Sequence, residues 1–185
     1  HSLWKTVPLQ LLPGADIPSI FHISENKINS DDNIEIGYGY YYLTNGNYMS
    51  QCKIVNELEE EIFTMNGISS FSMDEIVGLP TKIITYSSQN TVSKVYSLPD
   101  FILEYTCSGS YLSKRFQLEN SGIKYYYVNL SDESVEILNP DFTLWKSVGL
   151  PGVNYSEYIV GGELDQALIT QNKVNEDDEL EIAYS

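Results

Sequence analysis

The stretch Ile23 to Tyr38, ISENKINSDDNIEIGY, returns near the C-terminus as Ile169 to Tyr184, ITQNKVNEDDELEIAY. Asn26, Lys27, Asn29, Asp31, Asp32, Glu35, Ile36 and Tyr38 recur as Asn172, Lys173, Asn175, Asp177, Asp178, Glu181, Ile182 and Tyr184. A second echo, Leu3-Trp4-Lys5-Thr6-Val7, returns as Leu144-Trp145-Lys146-Ser147-Val148. The echoes keep their order at offsets of about 141 and 146 residues, the mark of an internal repeat with a short insertion near Gly161-Gly162. Residues 3–38 are thus echoed by residues 144–184, and whatever folds the first copy must fold the second.

Periodicity gives the type of structure. Along Asn33 to Tyr40, Ile34, Ile36, Tyr38 and Tyr40 fall on one face and Asn33, Glu35, Gly37 and Gly39 on the other, the alternation of a half-buried strand. The second copy keeps this parity through Leu180, Ile182 and Tyr184 but carries Ala183 where the first has Gly37. Asn45-Gly46 is a hairpin signal. Cys52 to Val55 and Ile62 to Met65 are expected to pair around Asn56 to Glu61, with a helical turn as the alternative for the acid-rich residues. Leu3 to Val7 alternates like a strand before Pro8, Pro13-Gly14 and Pro18 break the chain.

Short β-branched and aromatic runs follow at Lys82 to Tyr86, Val92 to Leu98, Phe101 to Cys107, Tyr111 to Leu118, Ile123 to Leu130, Val135 to Leu138 and Leu144 to Val148. Turn residues separate them, which indicates an all-β chain. Leu164 to Ile169 is the one other candidate helical turn. Gly122 to Pro151 reads as three strands with tight connections, and Asn33 to Met65 as a similar unit. Such antiparallel meanders are the sequence form of propeller-like blades, about three to one repeat, with a β-sandwich as the alternative.

The formal net charge of −16 excludes a protein built to bind phosphate backbones, which would gather Lys and Arg on one face. No apolar run is long enough to span a bilayer as a helix, so membrane insertion is not expected. His1-Ser2 stands where the second copy has Phe142-Thr143, and Glu181 to Ser185 stops within a strand-like run. Both ends are therefore expected to be cuts in a longer repetitive protein. Fifteen tyrosines, with few lysines and many Ser, Asn and acidic residues, suit a secreted or cell-surface protein. Cys52 and Cys107 are compatible with a disulfide or with two buried thiols.

No catalytic, cofactor or metal signature stands out. Asn29, Asp31, Asp32 and Glu35, with Asn175, Asp177, Asp178 and Glu181, offer oxygens of the kind calcium takes. They lack the alternating spacing that wraps an ion, and Asp and Asn before a strand are read first as turn formers. Glu57, Glu59, Glu60 and Glu61 offer carboxylates for glycoside cleavage, but a solvated face is the preferred reading. His22 has no Gly-x-Ser-x-Gly partner, and Leu168 replaces it in the second copy, so it is read as packing. Tyr38 to Tyr42 and Tyr125 to Tyr127 are mainly core, with an exposed subset as the best candidate for ligand stacking. Trp4 and Trp145 are assigned to a repeated core contact.

The phrases LWKTV and LWKSVGLP, the cores NSDDNIEI and NEDDELEI, and KYYYVNLSDESVEILNPDFTLWK resemble secreted repeat proteins of Bacteroidetes exported by the type IX secretion system. That resemblance implies export to the cell surface or beyond. The expected function is a non-enzymatic secreted or cell-surface module for adhesion, scaffolding or extracellular structure, meeting a protein or glycan ligand. The alternative is a carbohydrate-binding or glycoside-cleaving propeller.

Overall fold

The computed structural model describes residues 5–25, 27–29, 31–87, 89–129, 131–150, 168–171 and 179–183. Among them the chain is all-β. Three four-stranded antiparallel sheets are followed by a two-stranded one, and in each sheet the spatial order follows the sequence order without a Greek-key crossover. The chain divides into two compact units, His1–Thr106 and Cys107–Ser185.

The first unit holds two sheets. β1 (Ser19–Glu25), β2 (Ile34–Thr44), β3 (Asn47–Asn56) and β4 (Glu61–Asn66) form the first. β5 (Ser70–Asp74), β6 (Lys82–Ser87), β7 (Val92–Ser97) and β8 (Ile102–Ser108) form the second. Turn chemistry sets the joints. Asn45 and Gly46 both take positive φ, 51° and 78°, as the two-residue turn between right-twisted strands requires. Beyond β3, the Asn56 side-chain oxygen accepts the Leu58 and Glu60 N–H groups at 3.0 and 2.9 Å. This asparagine-centred turn replaces the helical turn weighed for Glu57 to Glu61.

The two sheets of this unit share one core. Cys52, Ile54 and Met65 of the first pack with Phe71, Met73 and Ile83 of the second, together with Ile28 and Ile68. Gly37 makes room for it: a Cβ there would lie 2.2 Å from the Phe71 ring. The other face of the first sheet carries Tyr38, Tyr40 and Val55, covered by Leu9 and Ala15. The proline-broken segment therefore lies on that tyrosine face, and Ala15 bridges to Tyr42. Residues 5–7 are irregular, contrary to the expected strand over Leu3 to Val7, while Leu3 and Trp4 lie outside the described residues. The irregular stretch is pinned by an ion pair from Lys5 to Glu57 at 3.1 Å, not by a ladder.

The second unit contains β9 (Phe116–Leu118), β10 (Gly122–Asn129), β11 (Ser134–Leu138) and β12 (Leu144–Gly149), then β13 (Leu168–Gln171) paired with β14 (Leu180–Ala183). β9 is shorter than the run from Tyr111 suggested, although Leu112 still bridges Tyr127. Asparagines again close the turns. Asn129 Oδ1 accepts the Ser131 and Asp132 N–H groups at 3.2 and 3.3 Å, and the Asn139 N–H donates to the Thr143 carbonyl at 2.9 Å. The core joins Leu118, Val128, Val135, Ile137, Leu150 and Ile169, with Trp145 packed against it. Leu168 and Ile169 are in strand, not helix; residues 164–167 and the insertion near Gly161-Gly162 lie outside the described residues.

The two echoed segments pair in the same register. In the first sheet His22, Ile23, Ser24 and Glu25 face Gly37, Ile36, Glu35 and Ile34. In the last, Leu168, Ile169, Thr170 and Gln171 face Ala183, Ile182, Glu181 and Leu180. Every pair matches its echo. Three four-stranded meanders thus run from β1 until its echo, β13, begins the pattern again.

Candidate functional site

The acidic motif of the first copy is built as a turn. Asn29 Oδ1 accepts the Asp31 N–H at 3.1 Å, and Asp31 Oδ1 accepts the Asn33 N–H at 2.8 Å. The Glu35 carboxylate, fully buried, accepts the Asn29 N–H at 3.2 Å and the Ser24 hydroxyl at 2.8 Å. These oxygens serve the loop's own donors, and burying the carboxylate is tolerable because both oxygens are hydrogen-bonded. Among the described residues no group of three or more His, Cys, Asp or Glu side chains gathers as a metal site. In the second copy Asn172, Lys173, Asn175, Asp177, Asp178 and Tyr184 lie outside the described residues, while Glu181 faces Thr170 as Glu35 faces Ser24.

The glutamates around the β3–β4 turn are held by separate partners. Glu57 meets Lys5, Glu60 accepts from the Asn56 amide at 2.7 Å, and Glu61 meets Lys53 at 3.0 Å. The hydrogen bond from Lys53 holds the Glu61 carboxyl below its ordinary value. His22 sits half-buried on β1 opposite Gly37, a packing position. Cys52 and Cys107 are free, buried thiols, pushed up to about 12 and about 11 by burial and so poor nucleophiles at neutral pH.

Five of the described tyrosines in the two runs are structural. Tyr38, Tyr40 and Tyr42 form a ladder with ring centroids 6.2 and 6.1 Å apart. The Tyr38 hydroxyl donates to the Gln10 carbonyl at 3.1 Å, and burial raises its pKa to about 12. Tyr125 is fully buried and stacks on Phe142 at 5.0 Å, while Tyr126 meets Phe116 edge-on at 5.6 Å. Trp145 takes the Lys124 ammonium 5.1 Å from its ring centre.

An exposed subset does exist, and it is local. β2 and β3 run on past the ends of β1 and β4: the ladder to β1 stops at Gly39 and that to β4 at Gln51, while β2 and β3 stay paired to Thr44 and Asn47. On one face of this projecting hairpin stand Tyr41, Leu43 and Tyr48, 39%, 54% and 66% exposed. Leu43 and Tyr48 are directly opposed, and Tyr41 lies two residues along the same face. The Gln89 side-chain amide donates to the Tyr48 carbonyl at 2.6 Å, anchoring the strand from the β6–β7 turn. From Gly37 to Cys52 the sequence has no charged residue, in a chain of net charge −16. Tyr41 belongs to the tyrosine run singled out in the sequence. Tyr48 does not, although its place across the Asn45-Gly46 turn from Leu43 follows from the turn type.

This face offers two phenol rings around a leucine on β2 and β3, with the Asp16 N–H bonded to the Tyr41 carbonyl at 2.8 Å along the β2 edge. It can stack on a flat apolar surface and hydrogen-bond at its margin, which is binding and not bond-breaking chemistry. No helix among the described residues is long and apolar enough to cross a membrane. No known family model, curated protein or solved structure matches the chain.

Proposed function

We propose that this chain is a non-enzymatic, secreted or cell-surface repeat module for adhesion or scaffolding. In this reading its four-stranded meanders serve as successive blades of a propeller-like platform. The observation that carries the reading is the neutral Tyr41–Leu43–Tyr48 face held out on the β2–β3 hairpin. A strongly acidic protein repels acidic surfaces, so its contacts are best made through a surface without charge. The sequence resemblance to exported Bacteroidetes repeat proteins supports the location.

The test is retention of the purified chain on immobilised extracellular proteins and on a glycan array, with Tyr41→Ala and Tyr48→Ala compared against Tyr111→Ala. Adhesion to protein surfaces lost in the two hairpin variants is the expected result. No retention on any surface, or retention indifferent to both changes, sinks the reading.

The exposed tyrosines also favour a second reading, a carbohydrate-binding platform, because sugar rings stack on phenol faces. Selective glycan binding, lost in Tyr48→Ala, would place this second reading ahead of the first.

A further inference from the structure

The Tyr41–Leu43–Tyr48 face carries no charge of its own, but one carboxylate stands at its margin. Ala15 and Tyr42 form an isolated antiparallel bridge, and both pack into the Tyr38–Tyr40 cluster on the opposite face of the sheet. One residue along, the Asp16 N–H donates to the Tyr41 carbonyl at 2.8 Å. Side chains alternate across such a pairing, so Asp16 stands beside Tyr41 on the face turned away from that cluster. Asp16 is exposed, and among the described residues no Lys or Arg pairs with it.

An exposed phenol ring with a carboxylate at its edge suits a cation. The ring face attracts the charge, and the carboxylate accepts a charge-assisted hydrogen bond from it. A guanidinium satisfies both at once, because it is planar enough to stack and keeps its N–H groups at the rim. Leu43 and Tyr48, 54% and 66% exposed, offer apolar area next to this position. Tyr41 and Leu43 lie two residues apart on β2, about 7 Å, which is also the spacing of alternate side chains in an extended peptide. With 26 acidic residues against 10 basic ones, the chain steers a cationic partner toward itself.

Taking this face as the contact surface, we propose that its partner is an extended, arginine-bearing protein segment. One guanidinium lies over the Tyr41 ring and pairs with Asp16, while an apolar side chain two residues along the segment covers Leu43 and Tyr48. Asp16 selects for positive charge. Leu43 and Tyr48 supply contact area to any apolar ligand.

The probes are the fluorescein-labelled peptide Gly-Arg-Ser-Leu-Ser-Arg-Gly and its twin with citrulline, the uncharged isostere, in place of each arginine. Both are titrated against the whole chain and followed by anisotropy. The arginine peptide is expected to bind saturably and about five-fold or more tightly than its twin, a preference that salt reduces. Asp16→Asn should remove most of the preference and leave the citrulline peptide unaffected, whereas Tyr48→Ala should weaken both peptides. Asp100→Asn, an equal change of charge in the exposed β7–β8 turn, should leave the preference intact. Equal affinity for the two peptides overturns the proposal, as does a preference that Asp100→Asn lowers as much as Asp16→Asn. If neither peptide binds, yet adhesion to immobilised proteins is lost in Tyr48→Ala, the arginine partner falls and the contact surface stands. Adhesion indifferent to Tyr48→Ala removes both.

Discussion

The hairpins β1–β2 and β13–β14 share register and a Ser or Thr opposite a glutamate, but Ile23 is exposed where Ile169 is buried, and one of their substitutions exchanges a glycine for an alanine. The first has Gly37 where the second has Ala183. The glycine is needed not for backbone conformation but for the neighbouring sheet, whose Phe71 ring occupies the space a Cβ would take. Register is therefore the property of the repeat, whereas the fit between sheets is the property of each copy. A repeat can keep its ladder while its packing partners change.

Importing the second copy's residue into the first should break this most severely. Gly37→Ala drives a methyl against Phe71, itself buried and set edge-on to Phe21 at 5.6 Å, so the ring has little freedom to retreat. The expected loss is about 3 kcal/mol, the upper part of the range for overpacking. Adding Phe71→Leu should recover most of it, and urea unfolding of the two single variants and the double variant measures the coupling. Additive losses would mean that the close approach does not govern the site.

The next largest contrast concerns the glutamates. Glu35→Ala leaves the Ser24 hydroxyl and the Asn29 N–H without their acceptor, at a cost of about 1–3 kcal/mol. Glu181 is half-buried, and Glu181→Ala should cost less than half as much, read from the same unfolding curves. Equal losses would show that both copies bury the carboxylate alike.

These contrasts also explain what could be read in the sequence. Strand alternation, the Asn45-Gly46 turn and the repeat are local patterns, and they located β2, β3, β4, β6 to β8 and β10 to β12. β1 and β5 were harder. Ser19–Glu25 is an edge strand with exposed Ile20 and Ile23, and Ser70–Asp74 is a short strand whose serines break the apolar signal. The segment Leu3 to Val7 failed for the opposite reason: LWKSV becomes β12 because β11 lies beside it, while Lys5 to Val7 lack that ladder. The exposed tyrosine face was half legible. Tyr41 stands in an alternating run in which its neighbours Tyr40 and Tyr42 point to the other face. Which face is covered depends on where β1 and β4 stop, and that is a tertiary fact.

A third contrast sets the buried acidic groups of two sheets against alkali. Cys52 on β3 is raised from 9.0 to about 12 and Cys107 on β8 from 9.0 to about 11, both by burial. Tyr38 is raised from 10.0 to about 12 for the same reason. A raised folded value favours the protonated form in the native state. Stability is thus whole below the unfolded value and falls as pH rises through the window, from pH 9 for the thiols and from pH 10 for Tyr38. Thermal melts should decline across this range, and the native protein at neutral pH should resist a thiol reagent at both positions. Rapid labelling of Cys52 without unfolding would contradict its burial.

The smallest expected effect lies on the pairing of β3 with β4. Lys53 on β3 reaches Glu61 on β4 at 3.0 Å, with the Glu61 side chain 49% exposed. The hydrogen bond from Lys53 leads the causes that lower this carboxyl from 4.5. A lowered folded value works in the opposite sense from the thiols. The stabilisation is present above the unfolded value and disappears as pH falls through the folded one, so Glu61→Gln should matter at neutral pH and not in strong acid. Exposure to solvent limits the loss to about 0–1 kcal/mol, and salt should shrink it further. Melting the wild type and the variant at neutral and strongly acid pH, in low and high salt, measures both dependences. A difference that persists unchanged in acid would show that packing at the β3–β4 edge, and not the ion pair, holds those strands together.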